Sequence, residues 1–257
     1  MEIPGDIELV ELLRPRLRNP VMIQGLPGLG FVGKVTVEYL IEKLAPVKFA
    51  ELFSTHLTLP DGNLGINVEF DGTYALPKYE FHHYNGRNQD LVLLTGDAQP
   101  NAFGQYEVAA RVVDFAREIG CARIVAIGGY GTRTQSDIGL VYAITNDSSL
   151  AQTCKGLGAH ITQGGVVTGA CGVILGVAAQ KRMECLGLLG ATRGVFPDVE
   201  AARSVVRILC EMFDLRIETK DLDEEVSDIK AKLEYISRVQ SELLGEKKTG
   251  EKFGYIA

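Results

Sequence analysis

Short apolar runs alternate along the chain with segments whose apolar positions recur at steps of three and four. This is the pattern of buried strands interleaved with amphipathic helices. The first run, Pro20 to Gln24, leads through a glycine-rich stretch, Gly25 to Gly33, into a helical pattern ending near Leu44. Pro46 closes that helix, and Val47 to Phe53 reads as a second strand. Between residues 55 and 90 the texture changes. Asp61-Gly62, Asp71-Gly72 and Asn85-Gly86 separate β-rich runs such as Ile66 to Phe70 and Tyr79 to Tyr84. These dipeptides supply the positive φ that tight hairpins need, so the region is expected to form antiparallel excursions or edge strands.

Alternation then resumes. Asp90 to Thr95 is a continuous apolar strand, and Gly104 to Ile119 a helix with Val108, Val112, Phe115 and Ile119 on one stripe. Arg123 to Ile127 reads as a buried strand ending at Gly128-Gly129-Tyr130-Gly131. Leu140 to Ile144 is a further strand, Ser148 to Gly156 a short helix, Thr168 to Met183 an apolar helix and Cys185 to Gly190 a strand. A helix from Pro197 to Leu215 follows. The pattern predicts an α/β fold: a largely parallel sheet flanked by helices, with antiparallel hairpin excursions. Residues 1–220 read as one domain of this kind.

From Asp221 the texture changes again. Asp221 and Glu224 have the spacing of a capping box, and Leu222, Val226, Ile229, Leu233 and Ile236 recur at steps of four and three. This narrow seam over 221–244 suits packing either on its own domain or against a partner subunit. Residues 245–257 form a polar stretch ending in Phe253-Gly254-Tyr255-Ile256-Ala257, the composition of a flexible docking tail.

Charge and composition narrow the function classes. The 26 Lys and Arg stand against 33 Asp and Glu, an acidic balance that argues against nucleic acid as a partner. The one compact basic cluster, Arg14, Arg16 and Arg18, reads as a solvated face. Five cysteines without CxxC spacing read as buried thiols of a reducing, cytoplasmic compartment. Four histidines form no HxxxH set, and no metal site is expected. No signal peptide is expected from the opening residues. The uncharged stretch Gly156–Gln180 carries GxxxG spacings at Gly165/Gly169 and Gly172/Gly176. Its continuous apolar part is only about 21 Å long as a helix, short of the ~30 Å hydrocarbon core, so a buried helix is expected there and no membrane span.

The 29 glycines exceed the usual background of about 7% and point to phosphate chemistry as one candidate. Gly28, Gly30 and Gly33 fit the dinucleotide fingerprint between a strand and a helix, with Glu51 near the place of its acidic partner. Gly28 to Lys34 also nearly spells a P-loop, but Val35 stands where a magnesium-binding hydroxyl belongs. No GxSxG elbow surrounds any serine. Asp97 and Gln99 follow one buried strand and Tyr130 ends the next, where parallel sheets place ligand sites. Gly28, Gly30, Gly33, Asp97, Gln99 and Tyr130 therefore outline a possible cleft, with tight turns and polar loops as the alternative. No cofactor is expected.

Gly25-Leu-Pro-Gly-Leu-Gly-Phe-Val-Gly33, Thr95-Gly-Asp-Ala-Gln-Pro100, Gly128-Gly-Tyr130, Gly187-Leu-Leu-Gly-Ala-Thr192 and Pro197-Asp198 occur in one order. Together they resemble the archaeal proteasome assembly chaperone family, over about residues 20 to 215. The resemblance implies a fold similar to nucleoside phosphorylases and hydrolases without an established catalytic site. It also implies self-association into a homo-oligomer and ATP-independent binding to the α-ring or α-subunits of the 20S proteasome, assisting assembly or gating. Some members insert a C-terminal hydrophobic–Tyr–any-residue motif into α-ring pockets. Here Tyr255 is third from the end and Gly254 precedes it, so Phe253, Tyr255, Ile256 and Ala257 are the candidate anchors in a different register. The competing expectation is a nucleoside- or nucleotide-binding enzyme of phosphorylase-like fold that uses Gly28 to Lys34 and Asp97.

Overall fold

The computed structural model describes residues 6–68, 71–194 and 197–217. The 221–244 seam (Leu222, Val226, Ile229, Leu233, Ile236) and the tail residues Phe253, Tyr255, Ile256 and Ala257 lie outside the described residues.

The strands are β1 (Ile7–Glu11), β2 (Val21–Gly25), β3 (Val47–Ser54), β4 (Leu57–Thr58), β5 (Asn67–Val68), β6 (Tyr74–Ala75), β7 (Lys78–Tyr84), β8 (Leu91–Gly96), β9 (Gln99–Pro100), β10 (Arg123–Gly131), β11 (Val141–Thr145), β12 (His160–Ile161) and β13 (Glu184–Thr192). The helices are α1 (Val32–Leu44), α2 (Gln105–Glu118), α3 (Ser148–Gly156), α4 (Gly169–Gln180) and α5 (Val199–Phe213). Nine strands form one sheet in the order β1-β3-β7-β8-β2-β10-β13-β11-β12. Its centre, β8-β2-β10-β13, is parallel. Strands β1, β3 and β7 extend it antiparallel on one side, and β11 joins β13 antiparallel on the other.

The continuous apolar runs are explained by helices on both faces. Successive residues of a strand point to opposite sides, and the two sides feed separate cores. Met22, Leu94, Ile124 and Ala126 pack with Phe49, Phe81 and Phe115 beneath α2 and α4. Ile23, Leu93, Val125 and Ile127 pack with Val37, Leu40, Val205 and Leu209 beneath α1 and α5. Phe115 anchors the first core, stacked on Phe49 at 5.9 Å and edge-on to Phe81 at 5.0 Å.

Two expectations are corrected. The strand from Arg123 does not end at the glycines but runs on to Gly131, because β13 offers Leu189–Thr192 as partners for Gly128–Gly131. The Tyr79–Tyr84 run is neither excursion nor edge: β7 sits inside the sheet between β3 and β8. The edges are β1 and β12, short strands without a marked pattern of their own. The helix α4 spans twelve residues, about 18 Å. Among the described residues no helix is long and apolar enough to cross a membrane.

Candidate functional site

Strands β2, β8, β10 and β13 run parallel, so their carboxyl ends gather at one edge of the molecule, where open α/β sheets bind ligands. The glycine turn after β2 occupies the middle of that end. A Cβ on Gly25 would collide with the Gly33 carbonyl oxygen, and one on Gly33 would lie 2.6 Å from the carbonyl oxygen of Ile127. These glycines let α1 press against β2 and β10. Gly30 takes the left-handed conformation, φ 62°, with Thr192 and Asp198 against its α-carbon. The turn also spends its polar groups on the protein itself: the Phe31 amide donates to Gly28 O at 2.9 Å, and the Asp198 amide to Gly30 O at 2.8 Å.

Lys34 follows the turn in the first part of α1 and is buried. Its ammonium donates to Glu38 Oε1 at 2.5 Å, Asp97 Oδ1 at 2.6 Å and the Gly96 carbonyl at 3.2 Å. Asp97 Oδ2 accepts from Asn67 Nδ2 at 3.3 Å. Burial opposes the Lys34 charge, but Glu38 and Asp97 outweigh it and hold its pKa above the ordinary value. An ammonium has three protons to donate, and all three are engaged. The residue that would reach a phosphate in a P-loop is here an internal tie between α1 and the end of β8. Val35, at the hydroxyl position, is core.

Gln99 is engaged in the same way. Its Nε2 donates to the Pro27 carbonyl, and its Oε1 accepts from the Ala170 amide at 3.4 Å in the first turn of α4. Gly28, Gln99, Lys34 and Asp97 therefore come together. Tyr130 does not join them: its ring packs on Tyr142 of β11 at 4.2 Å, and Tyr142 lies 6.0 Å from His160 of β12. This aromatic row crosses the far flank of the sheet. Below the cleft, a cavity of about 10 Å³ is bordered by Gln24, Tyr79, Gln105 and Ala170. It is room for one water rather than a nucleoside, and Tyr79 Oη and Gln105 Oε1 lack partners among the described residues.

Sequence reasoning singled out Lys34 and Asp97 but missed Glu38 and Asn67, which complete the cluster. The i,i+4 spacing of Lys34 and Glu38 was a local signal, whereas Asn67 comes from the distant β5–β6 ribbon. Among the described residues, no group of three His, Cys, Asp or Glu side chains is placed to hold a metal ion. All five cysteines are unpaired thiols, and burial pushes Cys121 up to about 12.

The model of the PAC2 family matches residues 22–237. An uncharacterized protein of Methanocaldococcus jannaschii is 28% identical over 229 residues, covering 89% of this chain and 87% of that one. Among solved structures, PbaB of Pyrococcus furiosus, described as an archaeal proteasome activator, superposes with a TM-score of 0.79 at 29% identity. That match covers 90% of this chain and 99% of PbaB. PbaA of the same organism, an archaeal homolog of proteasome-assembly chaperone, shares the fold with a TM-score of 0.72 at 23% identity, over 93% and 94% of the two chains.

Proposed function

The chain belongs to the PAC2 family, and from that premise we propose that it is a non-catalytic, proteasome assembly chaperone-like protein. In this reading it binds α-subunits or the α-ring of the 20S proteasome and assists assembly or ATP-independent gating. The observation that carries the proposal is the likeness to the Pyrococcus furiosus proteasome activator over nearly the whole of both chains. The site chemistry is consistent with it, because Lys34, Asp97 and Gln99 are engaged with one another's loops rather than turned toward a ligand. Docking would fall to the tail, with Phe253, Tyr255, Ile256 and Ala257 as hydrophobic anchors. Assembly through the 221–244 seam would present several tails at once and raise their effective concentration at a ring of sites.

Pull-down with purified archaeal 20S particles tests this, using the full chain and a form lacking residues 251–257. Full-length protein should bind and the shortened form should lose most of the binding. No binding by either refutes the reading, and equal binding by both keeps the partner but refutes the tail. The enzyme alternative predicts instead that a nucleoside, nucleotide or phosphate at about a hundred times its Kd stabilises the fold by about 2.7 kcal/mol in a thermal-shift screen. A flat screen is the expected result.

A further inference from the structure

Five of the exposed large apolar residues are gathered in one excursion between β4 and β7: Leu64, Ile66, Val68, Tyr74 and Leu76. Strands β5 and β6 form a two-stranded ribbon in which Val68 pairs with Tyr74 and Asn67 with Ala75. Side chains alternate along a strand, so Val68 and Tyr74 share a face, and the same alternation places Ile66 and Leu76 beside them. Val68 is 64% exposed and Tyr74 73%. Asn67, on the other face, is the residue held by Asp97 at the end of β8. The ribbon is thus anchored through a polar residue and turns its apolar face to solvent. An isolated two-stranded ribbon is marginal in water, and a contiguous exposed apolar patch of this kind marks an interaction site.

The charge around the patch says what covers it. Within 59–68 and 71–77 the charged residues are Asp61 and Asp71, both acidic and exposed. The chain carries a complementary segment. After β1, the amides of Leu12 and Leu13 donate to the Phe49 carbonyl at the start of β3, at 2.8 and 3.2 Å. The side chains of both leucines are exposed. Arg14 and Arg16 follow, also exposed, and neither has an acidic partner among the described residues. From Phe49, where this segment is held, β3 runs on to Ser54 before the chain enters the excursion, about 17 Å of strand. Fixed at Phe49 by these two amides and at Asp90 by the Arg18 amide, the Leu12–Arg16 segment lies away from its own ribbon.

We propose that the outward face of the β5–β6 ribbon is a docking surface for a second copy of this chain. That copy seats its Leu12–Arg16 segment there, the two leucines on Val68 and Tyr74 and the two arginines toward Asp61 and Asp71. The contact joins unlike patches at opposite ends of the sheet, so it is heterologous and propagates unless a rotation closes it into a ring. It uses neither the 221–244 seam nor the tail, and it stands whether or not the proteasome is the partner.

Hydrogen exchange on the full chain, followed over peptides spanning 63–77 at high and low protein concentration, tests the contact. The ribbon amides should be protected at high concentration and lose protection on dilution. R14E/R16E should abolish that protection although the substitutions lie at the other end of the sheet. D61N/D71N, which removes the charges while leaving an oxygen to accept from the Asn63 and Thr73 amides of the two turns, should weaken it. Light scattering on V68S/Y74S, a pair of exposed positions that leaves the core intact, should give a lower mass than the wild type. Ribbon exchange that is independent of concentration, or unchanged by R14E/R16E, overturns the proposal. Protection that disappears only when residues 245–257 are deleted makes the tail the occupant and overturns it equally.

Discussion

Lys34 shows how a residue's neighbours decide what its chemistry is for. In the sequence it completes a near P-loop; in the fold its three protons go to Glu38, Asp97 and Gly96. Replacing it with methionine leaves two carboxylates facing each other without a counter-charge. Both reach solvent, which screens them, so the cost is expected to be about 1–3 kcal/mol rather than the 3–5 of a fully buried broken pair. Urea unfolding measures it. The Lys34 pKa is raised in the fold above its ordinary 10.5. Its contribution is therefore complete below about that pH and is lost as pH rises through the folded value. The deficit of Lys34→Met should hold steady across neutral pH and shrink above pH 10.5. A deficit that persists unchanged into that range would mean the side chain acts by packing, not charge.

At the scale of elements, two helix starts carry a side-chain cap, which is a local feature. Asp147 accepts from the Leu150 amide at 2.7 Å and begins α3, and Asp198 accepts from the Ala201 amide at 3.0 Å and begins α5. Asp198 also accepts from the Thr192 hydroxyl at 2.5 Å, which ties α5 to the end of β13. Asp198→Ala should cost about 1 kcal/mol as a lost cap, and more through the orphaned Thr192 hydroxyl. Asp198→Asn should recover most of the loss, and thermal melts of the two variants distinguish them. Strand limits were less legible. Three of the four residues from Gly128 to Gly131 are glycine, which is depleted in strands, and the segment is extended because Leu189 to Thr192 lies alongside it. Strand β1 alternates weakly and is defined by its pairing with β3.

For the molecule as a whole, the two cores enclose Cys121, Cys154 and Cys185, whose pKa values burial raises. These thiols should resist alkylation at pH 7 in the folded protein and react together on unfolding, since only the global transition exposes both faces of the sheet. Rapid labelling of Cys121 in native buffer would contradict this packing. The polar end of the sheet is built by parts far apart in sequence: Lys34 from α1, Asn67 from the ribbon, Asp97 and Gln99 after β8, and Ala170 from α4. Of these, Asp97 and Gln99 could be picked out from their place after an apolar strand. Asn67 had no such marker, because its role exists only once the ribbon folds over the strand end.

The sequence by itself determined the alternation of strands and helices, the burial of the central strands on both faces, and the two capped helix starts. These depend on periodicity and on hydrogen bonds that reach only three or four residues. It also placed the family motifs in order along the chain. Only the tertiary structure decided which strands adjoin, that β7 lies within the sheet, that Lys34 is spent on Glu38 and Asp97, and that the ribbon turns its apolar face outward. Each of those outcomes rests on contacts between residues tens of positions apart. Their energy appears only when the sheet closes, so no local pattern carries them.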